Sequence, residues 1–150
     1  GVGSVMRALR PRVKVWGAEP ETAAPLALSL AKGSAQRFEE WQPSFVDGAG
    51  GQSVFPRMWQ RMQPVVDGSI VVGLDDVRRA MRLLAEKARV IAEGAGALAV
   101  AAALTGKAGP GPIVAIVSGG NIDLAKFCEL IAVPALQEPR QGPMRSEKLQ

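Results

Sequence analysis

The stretch that indicates the fold of this chain most clearly is Ile-Val-Ala-Ile-Val-Ser-Gly-Gly-Asn-Ile-Asp, residues 113–123. Five consecutive apolar residues, four of them β-branched, are followed by Ser-Gly-Gly-Asn and then by a segment with helical periodicity. This order predicts a buried strand over 113–117, a tight turn, and a helix with Asn121 as its N-cap. Ligands bind at such turns in open α/β sheets, since the glycines let the backbone come close and Ser118 supplies a neutral hydroxyl.

Glycine interrupts the sequence at two further places, each beside the end of a predicted element. Asp47-Gly48 begins a glycine-rich loop, and Glu93-Gly94-Ala95-Gly96 separates a long amphipathic helix from an alanine-rich one. Three such sites fit a pocket for a flat ligand, because larger side chains would exclude it. The alternative is that these glycines merely connect helices and turn a strand, and composition alone slightly favours that alternative.

The remaining pattern alternates strands with helices. Strands are predicted over 12–18 and 69–72, and helices over about 23–32, 53–62, 75–91 and 97–105. This order predicts an α/β fold with an open, mostly parallel sheet flanked by helices. With 150 residues and 47% hydrophobic content, the chain has the size of one domain. A polar, proline-containing segment over 137–150 is predicted to be a disordered tail.

Composition argues against several classes of protein. The chain has one cysteine, Cys128, and no histidine. A disulfide framework, a zinc site and a Cys-His nucleophile are therefore not expected. This composition indicates a reducing, cytoplasmic setting. Cys128 is predicted to be a buried apolar side chain. The net charge of +4 is scattered and the aromatic residues do not alternate with basic ones, so no nucleic-acid partner is expected. No run approaches the roughly 20 apolar residues that span a bilayer, so no membrane partner is expected either.

Four motifs follow one another along the chain. They are Leu-Arg-Pro before a strand ending in Ala18-Glu19-Pro20, then Val46-Asp47-Gly48, Ala92-Glu93-Gly94-Ala95-Gly96 and Ser118-Gly119-Gly120-Asn121-Ile122-Asp123. In order and separation they resemble the C-terminal half of the threonine and serine dehydratases, fold type II pyridoxal phosphate enzymes that include serine racemase. The resemblance extends from about Gly3 to Ile131. It implies that residues 1–136 are the C-terminal portion of the large, cofactor-binding domain of such an enzyme.

This resemblance implies a function for the whole protein. A pyridoxal-phosphate-dependent threonine/serine ammonia-lyase deaminates L-threonine or L-serine to a 2-oxo acid and ammonia by β-elimination. The chain would supply the wall beside the pyridine ring of the cofactor: Ser118 at the ring nitrogen, Gly119 and Gly120 along the ring, Glu93 beside it and Gly48 near its phenolic edge. A hydroxyl does not hold the ring nitrogen protonated, and this biases the outcome toward elimination.

Other parts of such a site are not found in this sequence. In the family, the lysine that forms the Schiff base with the cofactor and the tetraglycine loop that binds its phosphate are expected upstream of Gly1. No lysine of this chain sits in a comparable motif, so no catalytic residue is assigned and the chain alone is expected to be inactive. Some members also bind a divalent cation. Glu19 matches one ligand position, but Pro25 stands where an acidic ligand is expected, which disfavours a metal site.

Alternatives to this interpretation remain open. The chain could be a catalytically silent half-domain that acts as a binding or interaction module, or part of a serine racemase. The resemblance also implies an amino-acid substrate, an N-terminal half that completes the enzyme, and a homo-oligomer, usually a dimer. The sequence does not distinguish threonine from serine as the substrate, or elimination from racemisation.

Overall fold

The computed structural model describes residues 1–132, in which two strands are flanked by six α-helices. In chain order these elements are α1 (Val2–Leu9), β1 (Trp16–Pro20), α2 (Pro25–Lys32), α3 (Pro56–Met62), β2 (Gly68–Val72), α4 (Leu74–Leu83), α5 (Gly94–Leu104) and α6 (Leu124–Ile131). None of these helices is long and apolar enough to cross a membrane. The mixed α/β class predicted from the sequence is confirmed, while the tail predicted over 137–150 lies outside the described residues.

The two strands pair in parallel, with Trp16 opposite Gly68 and Pro20 opposite Val72. A parallel pair needs a long crossover connection, which here contains α2 and α3. β2 lies within one residue of its predicted position, whereas β1 begins later than the predicted 12–18. Residues 11–13 form a turn instead, in which the Val13 N–H donates to the carbonyl oxygen of Arg10 at 2.9 Å. The Val15 N–H then donates to the carboxylate of Asp67 at 2.7 Å.

The hydrophobic core lies where α5 packs on the sheet, α4 packs on α5 and α6 packs on α4. The buried residues of this cluster are Val46, Ile70, Val72, Val77, Ala80, Met81, Ala92, Ala97, Leu98, Ala101, Ala102, Phe127 and Leu130. Most of the residues from α5 are alanines, whose small side chains let α4 and the sheet approach the helix closely. The position of α5 is therefore fixed by packing along much of its length.

Helix α4 ends earlier than its apolar pattern predicts. A helix over the predicted 75–91 would place Val77, Met81, Ala88 and Ile91 along one face, but only Val77 and Met81 are buried, and Ala88 and Ile91 are exposed. The chain instead passes through a π-helical turn, Leu84–Ala88, after which Arg89 adopts a φ of 59°. This left-handed conformation ends the helix. The chain that follows leaves the helix axis and meets the backbone near Gly119, to which the Glu93 N–H donates a hydrogen bond.

The prediction of a buried strand over 113–117 is wrong for the described part of the chain. The segment has no regular secondary structure there, and Ile113, Val114, Ile116 and Val117 are 46, 90, 51 and 38% exposed. A strand exists only where a neighbour completes its hydrogen bonds, and within residues 1–132 the two strands of the sheet pair only with each other. Residues 113–117 have the sequence pattern of a strand, but no strand within residues 1–132 pairs with them.

The helix predicted after the turn is present as α6, but it begins later than expected. Its N-cap is Asp123, which accepts a hydrogen bond from the Ala125 N–H at 2.8 Å, rather than Asn121. Phe127 and Leu130 form the buried face. Cys128 is exposed, so the expectation that it is a buried apolar side chain is wrong. The side of α6 that packs on the core carries Phe127 and Leu130, and Cys128 lies outside it.

Helix α1 is attached to the sheet by polar contacts. None of its residues is buried, and the Arg7 guanidinium donates to the Asp67 carboxylate at 3.0 Å. The same carboxylate accepts the Val15 N–H. The Val15 hydrogen bond and the Arg7 guanidinium hold the pKa of Asp67 below its usual range. Asp67 thus joins α1 to the start of both strands.

Glu19 links both strands to α2. One of its carboxylate oxygens accepts the Leu26 N–H at 2.7 Å, and the other accepts the Ala27 N–H at 2.8 Å and the Ser69 hydroxyl at 2.6 Å. The N-cap residue of α2, Ala24, makes no side-chain capping hydrogen bond, so Glu19 caps this helix from the end of β1. A carboxylate at a helix N-terminus satisfies free N–H groups and interacts favourably with the helix dipole.

Replacing Glu19 by Gln should lower the free energy of unfolding by about 1–3 kcal/mol, because an amide cannot accept all three hydrogen bonds of the buried carboxylate. Urea denaturation of the chain measures this change. Glu39→Gln is the matched control: Glu39 is exposed and its ion pair with Arg37 is long, 3.6 Å, so this change should stay within about 0.5 kcal/mol of zero. Equal stabilities of the two variants would contradict the capping role.

Candidate functional site

The structure brings the three glycine-interrupted segments together at the start of α5. The Glu93 N–H donates to the carbonyl oxygen of Gly119 at 3.1 Å. The Glu93 carboxylate lies against the Cα of Gly119, in the space that a Cβ atom would fill, and 3.9 Å from the Cβ position of Gly48. Gly48, Glu93 and Gly119 therefore form one contiguous surface. We call this surface, together with the adjoining Ser118 and Gly120, the glycine wall.

Close contacts around the glycine wall leave no room for side chains at several of its positions. A Cβ atom on Gly96 would collide with the backbone of Gly119, and one on Gly120 would lie 2.6 Å from the carbonyl oxygen of Ile91. A Cβ atom on Gly48 would lie 3.0 Å from that of Ala95. Ordinary connectors do not require such approaches, so the packing accounts for glycine at these positions.

Gly94 and Gly96 lie inside the first turn of α5, which begins at Gly94 with Glu93 as its N-cap. The interpretation that they only separate two helices is therefore wrong. A Cβ atom on Gly94 would lie 2.8 Å from the carbonyl oxygen of Phe45. The first turn of α5 thus packs between the loop before Gly48 and the turn at Gly119. The N–H groups of a first helical turn lack partners within the helix and carry partial positive charge, so this end of α5 adds hydrogen-bond donors to the junction.

Ser118 lies at the exposed end of the glycine wall. Ser118 and Gly120 are exposed, whereas Gly119 is partly buried beneath the Glu93 carboxylate. Apart from that carboxylate, the Ser118 hydroxyl is the only side-chain group that the five residues of the wall can offer to a ligand. The wall is therefore a backbone surface that ends in one neutral hydroxyl.

The loop that carries Gly48 is held in place by local hydrogen bonds. Asp47 accepts the Gly48 N–H through its carboxylate at 2.8 Å and the Gly50 N–H through its carbonyl oxygen at 3.0 Å. The Trp41 indole N–H donates to the carbonyl oxygen of Gly50 at 2.8 Å. These bonds give Asp47 a bracing role in the loop, and they hold Gly48 in position beside Glu93.

Glu19 lies apart from the glycine wall, and both of its carboxylate oxygens are used by α2 and Ser69. Within residues 1–132 no group of three or more His, Cys, Asp or Glu side chains could hold a metal ion. Pro25 is the first residue of α2. Glu19, which its place in the sequence made a candidate metal ligand, instead caps the N-terminus of α2. That capping contact could not be predicted from local spacing, because it joins the end of a strand to a helix seven residues later.

A surface cavity of about 310 Å³ lies at the opposite end of α5, lined in part by Asp76, Thr105 and Lys107. It includes no residue of the glycine wall. Since α5 has 11 residues, the two features are separated by about 15 Å along the helix axis. The glycine wall is the feature that combines close backbone packing with an exposed hydroxyl, and it is the candidate functional site.

Comparison with known proteins decides the family. The family described as pyridoxal-phosphate dependent enzyme matches residues 1–119. The chain belongs to this family. Pyridoxal phosphate is the cofactor of this family, and the matched region includes Gly48, Glu93, Ser118 and Gly119 of the glycine wall.

Individual relatives of this chain confirm the narrower resemblance to the threonine and serine dehydratases. The L-threonine ammonia-lyase of Thermotoga maritima is 37% identical over 132 residues, which are 87% of this chain and 33% of the relative. The solved structure of threonine deaminase isoform 2 from Solanum lycopersicum, in its processed form, is 30% identical with a TM-score of 0.77, covering 88% of this chain and 40% of that one. Maize serine racemase is 29% identical with a TM-score of 0.75, covering 85% and 42%. The chain thus spans about a third to two fifths of the length of these relatives.

Replacing Gly96 by Ala tests the close approach to Gly119. In an unconstrained helix this change would gain about 1 kcal/mol. Here we expect a net loss of about 1–3 kcal/mol in the free energy of unfolding, because the added methyl group collides with the Gly119 backbone. Urea denaturation measures the difference.

Gly51→Ala is the control for this change, since a Cβ atom on Gly51 has no neighbour within 4 Å. It should change the free energy of unfolding by no more than about 0.5 kcal/mol. A Gly96→Ala variant as stable as the wild type would show that the wall is not packed as described.

Proposed function

We propose that this chain is part of a pyridoxal-phosphate-dependent threonine/serine dehydratase that deaminates L-threonine or L-serine to a 2-oxo acid and ammonia by β-elimination. The observation that carries the proposal is the convergence of three glycine segments on one wall that ends in the Ser118 hydroxyl. The names of two of the relatives, threonine ammonia-lyase and threonine deaminase, support threonine as the substrate. The activity belongs to the whole protein, of which this chain supplies one wall of the site.

The glycine wall fits the ring of the cofactor. The vacant Cβ positions of Gly119, Gly120 and Gly48 face Glu93, the Ile91 carbonyl oxygen and Ala95. These glycines therefore let the turn pack closely on the protein, and the proposed contact with the flat ring is made by the backbone of the turn. Gly96 allows the Gly119 backbone to lie directly against α5, which keeps the surface rigid. The residues present therefore suit a planar ligand with a hydrogen-bonding atom at one edge.

Each residue of the wall has a proposed role. Ser118 hydrogen-bonds the pyridine nitrogen, Gly119 and Gly120 line the ring, Glu93 lies beside it and Gly48 lies near its phenolic edge. When bound, pyridoxal phosphate supplies the electron sink for loss of the α-proton. Ser118 binds the ring nitrogen through a neutral hydroxyl and so does not hold it protonated, which favours elimination. Glu93 fixes Gly119 through its N–H and excludes solvent from the glycine with its side chain.

The rest of the active site is proposed to come from an N-terminal half of the same enzyme. That half would provide the lysine that holds the cofactor and the loop that binds its phosphate, and the catalytic residues of this chain remain unassigned. We further propose that the complete enzyme is a cytoplasmic homo-oligomer, a dimer in the simplest case. Without the N-terminal half, the chain is expected to have no activity of its own.

Serine racemase is the second candidate function. It is supported by the similarity to maize serine racemase, whose TM-score of 0.75 is close to the 0.77 of threonine deaminase. The two activities are separated by the product formed from L-serine. A 2-oxo acid and ammonia indicate the dehydratase, whereas D-serine indicates the racemase.

The role of Ser118 is tested in the full-length gene product by Ser118→Ala and Ser118→Thr. Loss of one hydrogen bond of about 1 kcal/mol should weaken cofactor binding about fivefold in Ser118→Ala and lower the elimination rate. Ser118→Thr keeps the hydroxyl and should retain most of the affinity. Cofactor absorbance titration and the release of 2-oxo acid measure both effects. Wild-type absorbance and rate in Ser118→Ala would refute the assigned role.

A further inference from the structure

The loop between α2 and α3 is closed at its base by backbone hydrogen bonds. The Phe38 N–H donates to the carbonyl oxygen of Gln52 at 2.8 Å, and the Val54 N–H donates to that of Gln36 at 2.9 Å. Residues 39–51 therefore form a closed loop whose two ends lie side by side. Compact surface loops of this kind are held together by their own side chains and are frequently functional.

The first side of this loop is anchored on the hydrophobic core. Val46 is fully buried. The carbonyl oxygen of Phe45 lies 2.8 Å from the position that a Cβ atom of Gly94 would take, so the loop packs directly on the first turn of α5. Of the turn that follows, residues 47–50, only Ala49 packs against the core, and it is partly buried. The turn therefore needs a further contact to hold its position.

Trp41 supplies that contact from across the loop. Its indole N–H donates to the carbonyl oxygen of Gly50 at 2.8 Å, and in the described part of the chain no other side-chain hydrogen bond joins the two sides of the loop. The Gly50 N–H in turn donates to the carbonyl oxygen of Asp47 at 3.0 Å. Because an indole has a single donor on a rigid ring, Trp41 fixes the last residue of a turn that is already bonded within itself.

A displacement of this turn would move Gly48 relative to the rest of the glycine wall. The Cβ position of Gly48 lies 3.0 Å from the Cβ atom of Ala95 and 3.9 Å from the carboxylate of Glu93. Glu93 is the N-cap of α5 and Ala95 lies in its first turn, and packing fixes the position of this helix. The separation between Gly48 and α5 is therefore set from the side of the loop.

We propose that Trp41 is a positioning residue of the cofactor site, which holds the turn 47–50 against α5 and so keeps Gly48 in place beside the cofactor. This proposal rests on the proposed function, in which Gly48 lies near the phenolic edge of pyridoxal phosphate. The effect of Trp41 passes through Gly50. A turn that is held before the ligand arrives lowers the ordering cost of binding.

Hydrogen exchange in the full-length gene product, measured without pyridoxal phosphate, tests whether Trp41 holds the turn. Trp41→Phe keeps an aromatic ring and removes the N–H donor. The Gly50 amide should then exchange about fivefold faster, the effect of losing one hydrogen bond, while the Phe38 and Val54 amides at the base of the loop should not change. Equal Gly50 exchange in Trp41→Phe and the wild type would overturn the proposal.

Trp59→Phe is the matched control, because it removes the same N–H group from a tryptophan of α3. It should leave the exchange of the Gly50 amide unchanged. An acceleration as large as that in Trp41→Phe would show that the turn responds to any loss of a tryptophan, and it would also overturn the proposal.

Titration of the same full-length variants with pyridoxal phosphate measures the consequence for the cofactor site. Trp41→Phe should raise the dissociation constant of the cofactor about three- to fivefold, while the thermal midpoint of the cofactor-free protein stays within about 3 °C of the wild-type value. Trp59→Phe should leave the dissociation constant unchanged. Unchanged affinity in Trp41→Phe would refute the positioning role. A larger fall of its midpoint would refute it too, because Trp41 would then support the fold as a whole.

These measurements separate the role of Trp41 from the proposed function. A wild-type full-length protein that fails to bind pyridoxal phosphate would contradict the proposed function and, with it, the cofactor site that Trp41 serves, even where Gly50 exchange responds to Trp41→Phe. Cofactor binding and elimination by the wild type, with the same cofactor affinity in Trp41→Phe, would contradict the role of Trp41 alone.

Discussion

The close approach between the first turn of α5 and the backbone of Gly119 is the contact on which the candidate site depends. It exists because Gly96 has no Cβ atom, and it is fixed by the hydrogen bond from the Glu93 N–H. The glycines at these positions are therefore a packing requirement. A single methyl group in the contact would separate the helix from the turn and remove the flat surface that the turn presents.

The rest of the fold places the two sides of this contact. Alanines of α5 pack against α4 and the sheet, so the helix has a fixed position. The left-handed conformation of Arg89 ends the preceding helix. Four residues later, Glu93 is the N-cap of α5. Glu19 joins both strands to α2. A site built from the end of a well-packed helix and a tight turn is more rigid than one built from loops alone.

Prediction from the sequence succeeded where local pattern determines structure. The helix that starts near Asp75 and strand β2 were predicted because periodicity and charge at a helix start are local signals. The three glycine segments were predicted to share one site, and the structure brings them together.

The strand over 113–117 was predicted incorrectly, because a strand also needs a neighbour that these residues do not supply. The capping role of Glu19 and the left-handed Arg89 were missed because both depend on contacts that sequence spacing does not show. The roles of Ser118 and Glu93 toward the cofactor came from family resemblance, and their position in the wall is compatible with those roles.

The contact between α5 and Gly119 can be measured directly in solution. In isotopically labelled protein, a scalar coupling across the hydrogen bond links the amide nitrogen of Glu93 to the carbonyl carbon of Gly119. We predict that this coupling is detected and that the Glu93 amide exchanges slowly with solvent. Absence of the coupling together with rapid exchange of the Glu93 amide would show that the helix and the turn are not in contact, and the glycine wall would not exist.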